Sequence, residues 1–119
     1  MKKVLEFRDQ GYNCAESIVK TFNEEHNLNI PVQVATPFGT GMAVGGTCGA
    51  IAGALISLGA IKGREEATDT NESRKYTKDI VNKVKEKYGT LECIELKKKG
   101  ISCGEIIEYT YEVLNESIK

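Results

Sequence analysis

Small side chains stand at Gly45, Gly49, Gly53 and Ser57, a spacing of four that on a helix gathers them into one stripe. Along such a stripe a second helix can come very close, because any larger side chain would hold the two backbones apart. The stripe lies within a stretch from Ile30 to Ile61 that contains no charged residue. The pattern predicts a buried central helix over about Thr47 to Ile61, closed by Gly63, with Cys48, Ile51, Ala52, Leu55 and Leu58 on its larger apolar face. Cys48 stands at the mouth of that helix, directly after the pair Gly45-Gly46 and Thr47.

Residues 42–61 have the length of a membrane span. Five glycines, two alcohols and a cysteine in that window make it too weakly apolar to insert. The opening residues Met1 to Arg8 carry two lysines but no apolar run behind them, which is not the pattern of a secretory signal. A cytoplasmic protein with no membrane contact is the expectation. A chain of 119 residues suits one domain, 1–119. With 16 basic against 17 acidic side chains, and no like-charge block longer than Lys97 to Lys99, nothing in it suits nucleic acid or an anionic membrane as partner.

The remaining segments also have helical periods. Residues 3–10 form a short opening helix that Gly11 ends. Asn13 followed by Glu16 is the capping-box pattern, and it starts a helix whose apolar positions Cys14, Ile18, Val19 and Phe22 share a face. Pro31 and Pro37 frame a single turn over Val32 to Thr36, and Phe38 to Gly46 reads as a flexible glycine-rich lead. Asp69 or Thr70 can cap an amphipathic helix marked by Tyr76, Ile80, Val81, Val84 and Tyr88, which Gly89 ends. Thr90 is a candidate cap for a short helix bearing Cys93. Ser102 with Glu105 repeats the capping pattern before a last helix with Cys103, Ile106, Ile107, Thr110, Val113 and Leu114 on one face. No segment alternates as a strand does. The fold class is therefore all-α, a compact bundle of five or six helices around the Gly/Ala-rich one.

Comparing the helix starts brings out a regularity: Cys14, Cys48, Cys93 and Cys103 all fall in first turns. A helix N-terminus offers free N–H groups and partial positive charge, so each thiol is expected to ionise more easily there. Four cysteines in a reducing compartment are not a disulfide scaffold. Redox chemistry, metal binding or plain packing remain. There is no C-x-x-C pair, hence no thioredoxin-like active site, zinc ribbon or ferredoxin run, and only the fold can assemble the four. Gly39-Thr40-Gly41 with Gly45-Gly46 is no dinucleotide loop, since no strand precedes it. His26 reads as a solvated residue at a helix C-terminus.

Cys14 in Gly11-Tyr12-Asn13-Cys14-Ala15-Glu16-Ser17, then Cys48-Gly49-Ala50-Ile51-Ala52-Gly53, then the separate Cys93 and Cys103, resemble the C_GCAxxG_C_C family of small prokaryotic proteins. The resemblance spans residues 11 to about 103 and implies redox activity without naming a substrate. On this reading Cys48, flanked by glycines, is the attacking thiolate, and Cys14, Cys93 or Cys103 resolves. The thiol would exchange with a redox partner protein or a small disulfide. Gly45, Gly46, Gly49 and Gly53 are the positions at which a cofactor or partner could approach the backbone. The alternative makes the same four cysteines, Cys14, Cys48, Cys93 and Cys103, ligands of zinc or an iron–sulfur cluster. A third reading is a helical interaction module whose cysteines only pack, with the glycine stripe serving a homodimer.

Overall fold

The computed structural model describes residues 3–119. Six α-helices follow in order: α1 (Lys3–Asp9), α2 (Cys14–His26), α3 (Gly49–Lys62), α4 (Ser73–Tyr88), α5 (Cys93–Lys98) and α6 (Cys103–Ser117). Between α2 and α3 lie a 3-10 helix, Val32–Phe38, and a tight turn, Gly41–Gly45. No strand occurs among the described residues, which makes the fold all-α. An isolated antiparallel bridge joins Thr47 to Glu92.

The central helix is α3, with the six consecutive residues Gly49 to Ala54 buried, together with Ser57 and Leu58. A helix apolar on all sides has to be enclosed. It packs along α2 on one side and against α4 and α6 on the others. The main core joins Ile18 and Phe22 of α2, Ile51 and Leu58 of α3, Ile80 and Val84 of α4, and Ile107 and Leu114 of α6. None of the described helices is long and apolar enough to cross a membrane.

Glycine sets the separation of α2 and α3. A Cβ built on Gly53 would lie 2.7 Å from the carbonyl oxygen of Ala15 and 2.9 Å from its Cα. Those are backbone atoms and cannot rotate away. A Cβ on Gly49 would meet the Cys14 sulfur and stand 2.6 Å from the Phe38 carbonyl oxygen. The stripe is thus shorter than its spacing suggests. Gly49, Gly53 and Ser57 belong to α3, whereas Gly45 stands in the turn before it. It is also covered from within the chain, by α2, so it is no face for a second copy.

Helix starts differ from the expected ones where a competing contact wins. α3 begins two residues late because the bridge to Glu92 holds Thr47 extended, leaving Cys48 as the N-cap. α4 begins at Ser73 with no side-chain cap, since the Asp69 carboxylate accepts the Glu66 N–H within its own turn. The Thr90 hydroxyl accepts the Glu92 N–H, so Glu92 rather than Thr90 precedes the first residue of α5. The capping box at Asn13 and Glu16 is complete, and the Ser102 hydroxyl accepts the Glu105 N–H. His26 is more than a solvated residue: it stacks on Phe22 and pairs through Nε2 with Asn115 Oδ1 at 2.9 Å, tying the end of α2 to α6.

The lead into α3 is not a free glycine linker. Thr40, Gly41, Met42 and Ala43 have φ of 54°, 58°, 60° and 65°, four consecutive left-handed residues, and the Gly46 N–H closes the turn onto the Gly41 carbonyl at 2.8 Å. For a residue with a Cβ this costs about 1–2 kcal/mol each.

Two glycines of α3 give opposite predictions. Gly53→Ala should lower unfolding free energy by about 1–3 kcal/mol, the cost of overpacking a closed contact. Gly59→Ala, with open space around its Cβ, should raise it by about 0.5–1 kcal/mol. Denaturant titration of both variants checks the pair.

Candidate redox site

Cys14, Cys93 and Cys103 are the first residues of α2, α5 and α6, and Cys48 is the N-cap of α3. All four line one pocket of about 330 Å³, along with Arg8, Tyr12, Thr40, Lys97 and Ile106. Residues up to 89 positions apart in the chain, as Cys14 and Cys103 are, reach one cavity because the starts of α2, α3, α5 and α6 point to the same end of the bundle.

Separate devices hold each sulfur. The capping box fixes the start of α2 and anchors the 3-10 helix above it. There the Asn13 Nδ2 donates to the Thr36 carbonyl at 3.1 Å and the Thr36 hydroxyl donates to the Glu16 carboxylate at 2.5 Å. Gly39 has to be glycine beneath this clamp, since its Cβ would lie 2.5 Å from the Asn13 side chain. The chain then turns so that the Thr40 N–H is directed at the Cys14 sulfur.

Cys48 and Cys93 are held by the isolated bridge. The Cys48 N–H donates to Leu91 O at 2.8 Å and the Cys93 N–H to Gly46 O at 2.6 Å. In this antiparallel pairing Cys48 stands opposite Leu91 and Cys93 opposite Gly46, so one bridge ties both cysteines. Gly41 lies under this pair. Its Cβ would fall 2.7 Å from the Cys93 Cβ and 2.5 Å from the Gly46 oxygen, so only glycine fits.

The four thiols are not equivalent. Cys48 and Cys93 are buried, 4% and 8% exposed, while Cys14 and Cys103 are partly open at the rim. The four thus form an outer pair, Cys14 and Cys103, and an inner pair, Cys48 and Cys93. All four are free thiols.

The electrostatic expectation is reversed at two of them. Burial pushes the Cys14 thiol up, and pushes the Cys48 thiol up to about 11, against an ordinary value of 9.0. The N–H groups of Ala50 and Ile51 at the start of α3 pull the Cys48 value down, as a helix N-terminus should, but desolvation outweighs them. At neutral pH the Cys48 sulfur is therefore held as the thiol. The nearby thiols add to the penalty, since a neighbouring thiolate repels another.

Gly45, Gly46, Gly49 and Gly53 do not line the pocket. Gly49 and Gly53 are taken up by the α2 contact, and the Gly46 carbonyl by Cys93. Sequence reasoning missed Gly39, Gly41 and Thr40, whose roles depend on contacts with α2 and α5. It missed Arg8 and Lys97 as well, which are ordinary surface cations until the fold brings them to the thiols. Among the described residues no three His, Cys, Asp or Glu side chains converge closely enough to hold a metal ion. A four-thiolate zinc site needs every sulfur about 2.3 Å from one point, and the side chains as placed do not form it.

The sequence model of the family described as "Putative redox-active protein (C_GCAxxG_C_C)" matches residues 12–117, and the chain belongs to that family. No curated protein and no solved structure matches it.

The raised Cys48 value has a direction in pH. Between about pH 9 and 11 the unfolded chain has lost the Cys48 proton while the folded chain retains it. Its contribution to stability is therefore complete below pH 9 and is lost as pH rises toward 11. Denaturant titrations across that window should show falling stability, with a shallower fall in Cys48→Ala. Alkylation of Cys48 in the folded protein should still be accelerating with pH where an ordinary thiol has reached its plateau.

Proposed function

With membership of the C_GCAxxG_C_C family as the premise, we propose that the protein is a dithiol–disulfide redox carrier whose working couple is Cys14 with Cys103. The observation that carries this reading is the shared pocket: four cysteines distant in sequence line one cavity, two at its rim and two behind them. Plain packing gives no reason for four thiols to meet at one opening.

In the step proposed, a rim thiolate attacks one sulfur of a partner disulfide. The partner's S–S bond breaks, one partner thiolate leaves, and a mixed disulfide forms. The second rim thiolate then attacks the chain's own sulfur in that mixed disulfide and releases the other partner thiolate. Two electrons pass to the partner, and the two protons given up by Cys14 and Cys103 end on its two thiols.

Thiolate held at Cys14 has the N–H groups of Thr40, Ala15 and Cys14 itself directed at it. Cys48 is the residue the sequence favours for attack; because it is buried and its thiol pKa is raised, the reading proposed here gives the first attack to Cys14. Cys48 serves as the next exchange partner for a Cys14 sulfur already oxidised. Cys93, tied to the same bridge, is the second buried thiol.

The test is a thiol count on denatured protein purified without oxygen, before and after mild oxidation, with metal analysis of the same sample. The expected result is a monomer that loses two thiols first, mapped to Cys14 and Cys103, and no stoichiometric metal. Cys14→Ser and Cys103→Ser should each abolish that first disulfide, while Cys93→Ser retains it. Iron or zinc near whole equivalents, with thiols shielded until it is removed, would overturn the reading. So would a chain that keeps all four thiols under oxidation.

A further inference from the structure

The pocket's charge is one-sided. Arg8 at the end of α1 and Lys97 in α5 both line it, and no aspartate or glutamate does. Neither cation is spent on an ion pair. The ion pairs among the described residues are Lys83 with Asp79 and Lys98 with Glu95, both away from the cavity. This is not the chain's average surface, which carries one more acidic than basic side chain. Another cavity of the same volume, between α1, α2 and α6, is mixed in charge, with Glu25, Glu108, Glu112 and Glu116 facing Lys3 and Lys119. Only the thiol pocket of the two is lined by charges of a single sign, and a concave wall of one sign concentrates ions of the other.

Size narrows the occupant. About 330 Å³ is at the small end of the range for sites that enclose small molecules. Cys48 and Cys93 line it at 4% and 8% exposure, so only a small group can approach them.

Resting on the dithiol reading above, we infer that the substrate is a low-molecular-weight disulfide whose substituents carry carboxylates, bound with its S–S bond at the rim thiols and its carboxylates toward Arg8 and Lys97. The exchange is the one already balanced: Cys14 and Cys103 become a disulfide, and the small disulfide leaves as two thiols. A protein disulfide is the rival partner, and it would be served by the rim sulfurs alone, without the two cations.

The experiment uses three small disulfides that differ in charge: dithiodipropionate, bis(2-hydroxyethyl) disulfide and cystamine. Each is added without oxygen to the reduced folded protein, and the rate of thiol loss is divided by that of the same protein unfolded in urea, which removes intrinsic reactivity. The normalised rates should fall in the order carboxylate, neutral, amine. The first should exceed the second by about tenfold at low salt, and high salt should shrink the gap. The double variant R8Q/K97Q should bring the ratio of carboxylate to neutral toward one. Three equal normalised rates in the unmodified protein, or an order that survives in R8Q/K97Q, would overturn the substrate class and leave the dithiol couple standing. Failure of all three to form the Cys14–Cys103 disulfide would overturn both.

Discussion

Everything at the thiol end of this protein depends on how closely α2 and α3 approach. Gly53 lets the α3 backbone lie against the carbonyl of Ala15, and Gly49 does the same one turn earlier beside the Cys14 sulfur. That contact fixes the position of the Cys14 sulfur relative to Cys48, because each residue is at the start of one of the two helices. A methyl group at either glycine would push the two cysteines apart as it pushed the helices apart. The glycines of the family motif are therefore positioning elements, and they act on the chemistry through the backbone separation.

The second governing balance lies between burial and helix N-termini. An N-terminal N–H array favours an anion by fractions of a kcal/mol at an exposed end, whereas removing a thiolate from water costs more. At Cys48 the second effect prevails, and the thiol stays protonated well above neutral pH. Convergence of four helix starts does not by itself make four reactive thiols; it makes a graded set. The rim cysteines keep contact with water, and the interior ones are almost wholly withdrawn from it.

Much of the fold was legible because the helical periods are clear. The stripe Ile80, Val84 and Tyr88 and the apolar face Ile106 to Leu114 are buried as their spacing requires. The caps at Asn13 and Ser102 were legible because they act within three residues. The bridge between Thr47 and Glu92 was not, since it pairs single residues 45 positions apart and leaves no alternation behind. The left-handed turn was hidden for a different reason. Glycine at 39 and 41 signalled freedom, yet contacts with Asn13 and Cys93 remove it, and the same contacts hold Thr40, Met42 and Ala43 where their own preferences would not.

That turn is a point of local frustration, where the chain's intrinsic preference and its tertiary setting disagree. Met42 and Val44 are 43% and 84% exposed, so little buried surface offsets the unfavourable backbone. Its amides should accordingly belong to the low-energy end of the protein's opening spectrum, far below the helices that flank it. Thr40 lines the pocket beside Cys14, and its N–H favours the Cys14 thiolate, so the turn bears directly on a rim thiol. The ionisation of Cys14 is thus tied to a backbone held against its own preferences, while its position is tied to the α2–α3 contact.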